Sequence, residues 1–266
     1  MNARRFNLVF TLMAFGYAFL YGPIVSLIVY SFNESKLVTV WGGFSTKWYV
    51  ELFGNTALLT AAWQSLKVAA LSATAAVILG TLAAVAMVRF GRFFGRSLFQ
   101  GMLTAPLVMP DVLIGLTMLL MFVSMERLTG WPDGRGLMTI SIAHITLSIA
   151  YVVVVVQSRL RQTDRSIEEA ALDLGARPAK VFFLITLPMI APSLLAGWLL
   201  AFTLSLDDLV IASFTSGPGS TTLPMVVFSS ARLGVNPQIN ALATILILLV
   251  AVALIVASRA FRRDRG

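Results

Sequence analysis

Ser166-Ile167-Glu168-Glu169-Ala170-Ala171-Leu172-Asp173-Leu174-Gly175-Ala176-Arg177-Pro178 is a polar island between apolar runs, and it reads as a short helix with both ends specified. Ser166-Ile167-Glu168-Glu169 fits a capping box, with the Ser166 hydroxyl on a free N–H and Glu169 reaching back. Ala170, Ala171 and Leu172 continue the helix, Gly175 supplies a left-handed stop, and Pro178 lies just beyond. The expected product is a rigid helix of about two turns, roughly 12 Å long at 1.5 Å per residue. A second short helix is expected to start at Pro178 and run through Val181, Phe182 and Phe183 to Leu187-Pro188. Small alanine residues on a capped helix permit close approach, so the element suits docking into a groove. It equally suits a plain interfacial connection, and the physics of the loop leaves both open.

Outward from this loop the chain is apolar. Of its 266 residues 58% are hydrophobic and 12% charged, well below the roughly 25% charged of a soluble domain. Six segments, near 7–32, 68–88, 98–124, 138–157, 190–214 and 239–258, are each long enough to cross a bilayer, which takes about 20 residues. The expected fold is therefore all-α: a polytopic membrane protein with six transmembrane helices. Residues 1–266 read as one transmembrane domain, with 1–60 an N-terminal anchor helix and outer loop. The core is expected over 61–258, with the connecting loop at 158–188. Arg4-Arg5 precedes an apolar run to about Phe32 that is too long for a signal peptide and has no small-x-small cleavage site, so a retained anchor is expected.

The formal charge of +8 sits in short segments between apolar runs, which is how membrane helices are oriented and not how nucleic acid is bound. Fourteen Lys and Arg fall on the side of both termini and of the 158–188 loop, against six on the other side. Both termini are accordingly expected in the cytoplasm, with lipid as the surrounding partner. The absence of Cys excludes disulfides, thiolate metal sites and a Cys nucleophile. In the first outer loop Trp41, Phe44, Trp48 and Tyr49 are spaced like an aromatic belt. Trp131-Pro132-Asp133-Gly134 marks a turn in the second, and Ser216-Gly217-Pro218-Gly219 opens the third.

Three acids lie inside segments that otherwise read as membrane-spanning: Asp111 and the pair Asp207-Asp208. An ionised carboxylate there is costly and normally lines a watery path or has a partner. Neither segment carries a nearby Lys or Arg, so a cationic solute passing between helices would serve. The alternative is that the acids cap a broken helix or bond to Ser and Thr. Pro106 and Pro110 should kink the third span just before Asp111. Asp208 shares a helical face with Ser205 and Ala212, smaller neighbours than Thr203 and Leu204 beside Asp207. Asp208 is thus expected toward the path, near Ser205, and Asp207 toward another helix. Trp198 could stack on an ammonium or simply pack. His144, the one histidine, reads as a polar helix–helix contact, and Gly80 with Ala84 as a small-xxx-small packing pair.

Glu169-Ala170-Ala171, then Gly175, then Ile185 and Leu187-Pro188 resemble the EAA signature of bacterial ABC importer permeases, spacing included. Thr104 to Asp111, Leu204 to Val210, Ser216-Gly217-Pro218, Leu223-Pro224-Met225, Val235-Asn236-Pro237 and Asn240 to Thr244 resemble the polyamine branch of that superfamily. The resemblance covers nearly the whole chain. It implies the transmembrane domain of a type I importer, like those of maltose and methionine permeases. It further implies ATPase coupling through Glu169, Ala170, Ala171, Gly175, Leu187 and Pro188, and a substrate path marked by Asp111, Asp207, Asp208, Ser205 and Trp198. Putrescine is the implied cargo, with spermidine or another cation as the alternative. No catalytic residue, metal or cofactor is expected in this chain; ATP and Mg belong to a partner. The implied partners are a second homologous permease, two copies of a cytoplasmic ATPase, and a periplasmic polyamine-binding protein, in a bacterial inner membrane.

Two other classes compete. A proton-coupled secondary transporter would use the acids for proton exchange but would not need the capped loop helix. An intramembrane enzyme would need a motif such as His-Glu-x-x-His, which the sequence lacks. Nor does any glycine-rich stretch form a phosphate-binding loop.

Overall fold

The computed structural model describes residues 3–37, 40–233 and 237–263. Val235 and Asn236, and Arg265 of the basic tail, lie outside these residues. In order, the elements are α1 (Ala3–Tyr30), α2 (Lys47–Gly54), α3 (Thr56–Arg89), α4 (Arg96–Val108), α5 (Asp111–Thr129), α6 (Leu137–Gln162) and α7 (Ser166–Asp173). They continue as α8 (Pro178–Val181), a π turn (Phe182–Thr186), α9 (Leu187–Asp207), α10 (Val210–Thr215), α11 (Leu223–Leu233) and α12 (Pro237–Arg263). Among the described residues five stretches are long and apolar enough to cross a membrane: Val9–Tyr30, Thr56–Arg89, Asp111–Thr129, Leu137–Gln162 and Pro178–Asp207. A shorter apolar helix, Pro237–Val252, is the sixth. The all-α, six-helix expectation holds.

The chain divides into two compact units. The first comprises residues 1–59 and 227–266, in which α12 packs on α1 and α2. Asn55 donates to Gln238 Oε1 at 2.7 Å, and the Gln238 amide donates to Glu51 Oε2 at 3.2 Å. Its loop is folded around buried Asn33, whose amide donates to Val40 O while Oδ1 accepts from Ser35 and Gly42 N–H groups. Trp48, expected in an interfacial belt, is instead buried, its indole N–H donating to Asn33 O. An indole whose donor finds a backbone acceptor pays little to be enclosed. Trp41 and Phe44 remain exposed.

The second unit, residues 60–226, is built on α6 packed against α9. Val152 is the knob of this packing: a Cβ on Gly80 would lie 2.8 Å from Val152 Cγ1, and one on Gly197 3.6 Å away. Ala73, Ala76, Ala84, Val156, Leu160, Ile190 and Ala201 complete that buried core. Small residues on α3 and α9 thus let three helix backbones close on one valine, as Gly80 and Ala84 led one to expect.

Four expected boundaries move. The second span begins at Thr56, a dozen residues before the hydropathy edge, because Trp63, Gln64 and Lys67 dilute apolarity without breaking a helix. Over 34 residues it runs roughly 51 Å. The third span is divided into α4 and α5 instead of merely kinked. Pro106 is carried inside α4, but Met109 is extended at ψ 138°, as the residue before a proline prefers. The fifth span ends at Asp207, and Asp208 is extended at ψ 124° before α10. The separate helix expected to stop at Leu187-Pro188 does not stop: α8 runs through the π turn into α9. Leu187 N–H reaches back five residues to Phe182 O, a wide turn that absorbs the donor missing at Pro188.

Candidate functional site

The two breaks bring the acids together. α10 packs on α5, and the contact is close because Gly115 lies under Phe214, where a Cβ would be 2.6 Å from the ring. Asp111 opens α5 and is exposed; Asp207 closes α9 and is exposed. Asp207 lies within electrostatic range of both Asp208 and Asp111. The site therefore gathers three carboxylates at the ends of four helix segments. Positive N-termini of α5 and α10 and negative C-termini of α4 and α9 meet there.

Asp208 has a different job from Asp207. Its carboxylate accepts the backbone N–H groups of Ile211 and Ala212, the latter at 2.7 Å, and so caps α10. His144 Nε2 lies 3.1 Å from Asp208 Oδ2, and His144 Nδ1 lies 2.6 Å from Ser205 Oγ. All these groups are satisfied if Nε2–H donates to Asp208 and Nδ1 accepts the Ser205 proton. The expected division between the two acids is therefore reversed. Asp208 contacts another helix, and Asp207 stays open, because a carboxylate just past a helix end is placed to cap the next one. Ser205 is buried in this contact and does not face an opening. Trp198 is likewise taken up in packing: its ring stacks on Phe202 at 5.1 Å and its N–H donates to Thr74 Oγ1 at 3.1 Å.

The polar loop forms its helix with different caps from those expected. Ser166 is the first residue of α7, and the Ser166–Glu169 capping box is absent. Asp164 takes the role, accepting the Ser166 N–H at 2.9 Å. That bond, with a second from the Ser166 hydroxyl, holds the exposed Asp164 carboxyl below its usual value. Glu169 pairs outward with Arg165 at 2.9 Å. At the other end Gly175 has φ +85°, its N–H bonds Leu172 O, and Ala176 N–H bonds Ala171 O. Both bonds of a Schellman stop are present. Glu169, Ala170, Gly175 and Pro188 are exposed, and Ala171 and Leu187 half-buried. The one buried residue of α7 is Glu168, which no motif singled out. Among the described residues no cluster of His, Asp and Glu could hold a metal ion.

Residues 76–263 match the family model described as binding-protein-dependent transport system inner membrane component. The chain belongs to this family. The permease is 64% identical over 236 residues to the putrescine transport system permease protein PotI of Escherichia coli K12, covering 89% of this chain and 84% of PotI. It is 42% identical over 249 residues to the spermidine/putrescine transport system permease protein PotC of the same strain, covering 94% and 91%. Among solved structures, a bacterial ABC transporter importing alginate matches the permease with TM-score 0.75 and 17% identity, over 97% of each chain. The MetNI methionine ABC transporter matches with TM-score 0.61 and 15% identity, over 77% of this chain and 95% of that one. The fold is that of the type I ABC importer permeases, and the resemblance read from the EAA loop is borne out. The permease is a transport subunit and a multi-pass inner-membrane protein, not an enzyme.

Proposed function

We propose that this permease forms half of the translocation path of an ATP-driven putrescine importer. The observation that carries the cargo is the 64% identity to PotI against 42% to PotC, over nearly the same span. The open carboxylates of Asp207 and Asp111 suit the two ammonium groups of a diamine. Broken helices at a path leave carbonyls at the ends of α4 and α9 that add weak attraction for a cation. Such weak, separated sites favour passage over trapping. In this reading Asp208, Ser205 and Trp198 shape the path from behind, and α7 with Glu169, Ala170, Ala171, Gly175, Leu187 and Pro188 couples it to ATP hydrolysis.

The partners follow from the same reading. They are a second homologous permease, two copies of a cytoplasmic ATPase that holds ATP and Mg, and a periplasmic polyamine-binding protein. Both termini and α7 face the cytoplasm. The deciding experiment is uptake of labelled putrescine in import-deficient cells expressing the partner genes, with and without this chain. Uptake that needs the chain and ATP, and survives an uncoupler while ATP lasts, supports the proposal. An assembled complex that ignores putrescine but imports spermidine would transfer the reading to the other polyamine.

A further inference from the structure

Glu168 sits one residue from the exposed Glu169 and is itself buried. Its Oε1 accepts from Arg89 Nη2 and from Thr186 Oγ1, each at 3.0 Å. Arg89 Nε lies 3.0 Å from the other carboxylate oxygen, and both charged side chains are largely enclosed, at 14% and 11% exposure. Three elements meet at this one carboxylate: the last residue of α3, the helix α7, and the π turn at the foot of α9. Beside it an apolar cleft of about 440 Å³ opens between the same elements, lined by Leu82, Val85, Phe90, Leu172, Phe182 and Phe183. Ile167 and Leu172 of α7, and Leu174 just beyond it, are exposed. Glu168 is the one buried residue of α7, so its polar cluster seats the helix more than apolar packing does.

We infer that Arg89, Glu168 and Thr186 form the internal joint through which displacement of α7 reaches the membrane-spanning helices. The inference rests on the proposed ATPase coupling of α7. A buried ion pair is costly to break, because the partner left behind is an uncompensated charge. The joint therefore stays closed while α7 moves, and α3 and the foot of α9 must follow. Glu168 is a positioning residue: it touches no cargo, and its exposed neighbour Glu169, paired only with Arg165 of the same loop, is left to an ATPase face.

The test uses the whole complex, purified through a tag on the ATPase and reconstituted in liposomes with the binding protein. The quantity is labelled putrescine imported per ATP hydrolysed. If the wild-type complex imports no putrescine, it is the proposed cargo that fails and not the joint; the joint is then read from the rise in ATP hydrolysis when the binding protein is added. Glu168→Gln and Arg89→Gln are expected to keep basal hydrolysis but lower the coupling ratio about tenfold. The exchange Arg89→Glu with Glu168→Arg should recover part of it. Thr186→Val, which removes one hydroxyl, should lower the ratio by about threefold and decides the matter if the charge variants do not assemble. A wild-type ratio in Glu168→Gln, or in Thr186→Val, would overturn the inference.

Discussion

Replacing Asp207 by Asn removes an open charge, whereas replacing Asp208 by Asn disturbs a helix cap. Asp207→Asn and Asp111→Asn should each lower the maximal putrescine uptake rate about tenfold, a loss of roughly 1.4 kcal/mol in the barrier, without changing the amount of complex. Asp208→Ala should instead lower thermal stability, with about 1 kcal/mol from the lost cap, and His144→Ala should do likewise by leaving Asp208 short of a donor. Normal uptake in the Asp207 and Asp111 variants would remove both from the path. The sequence marked all three acids and gave Asp208 its Ser205 and Ala212 neighbours, but it turned Asp208 and not Asp207 toward the path. Face angles on an uninterrupted helix carry no information once the helix stops between the two residues. Glu168 was illegible for a different reason, since its partner Arg89 is 79 positions away.

At the scale of elements, α7 was legible at its end and not at its start. Gly175 advertises a left-handed stop because few other residues adopt φ +85° cheaply. Gly175→Ala should cost about 1 kcal/mol at this stop and reduce coupled uptake while leaving the membrane helices intact by circular dichroism. At the start, Asp164 and Ser166 both have capping chemistry, and backbone geometry chose Asp164. Its lowered carboxyl value sets the sign of the pH response. The cap contributes fully above the ordinary carboxylate value and is lost as pH falls through the lowered one. Amide hydrogen exchange at Ser166 should accordingly show protection that persists below the ordinary value and then vanishes. An unprotected Ser166 at neutral pH would contradict this. Pro110 and Pro188 look alike in sequence yet act differently. Pro110 follows an extended residue and ends α4, while the turn before Pro188 widens and continues.

For the molecule as a whole, composition and charge placement were sufficient for class and span number, because the bilayer leaves the chain few alternatives. The placement of the basic residues predicts both termini in the cytoplasm. A fluorescent protein fused after Gly266 should glow, and alkaline phosphatase fused in the loop near Trp131 should be active. The opposite pattern would invert the topology. From Pro178 to Asp207 the chain is one unbroken rod of 30 residues, about 45 Å, with the EAA loop at one end and an open acid at the other. The π turn at Phe182–Thr186 gives this rod a residue more than a regular helix of the same angular sweep would need. Deleting exposed Leu184 should therefore tighten the turn into ordinary α-helix and leave Asp207 on its original face. Deleting Leu195, within regular α9, should swing everything beyond it by about 100°. The rod can be shortened at one place only, and that place marks where its length can drift between descendants without misdirecting the acid at its far end.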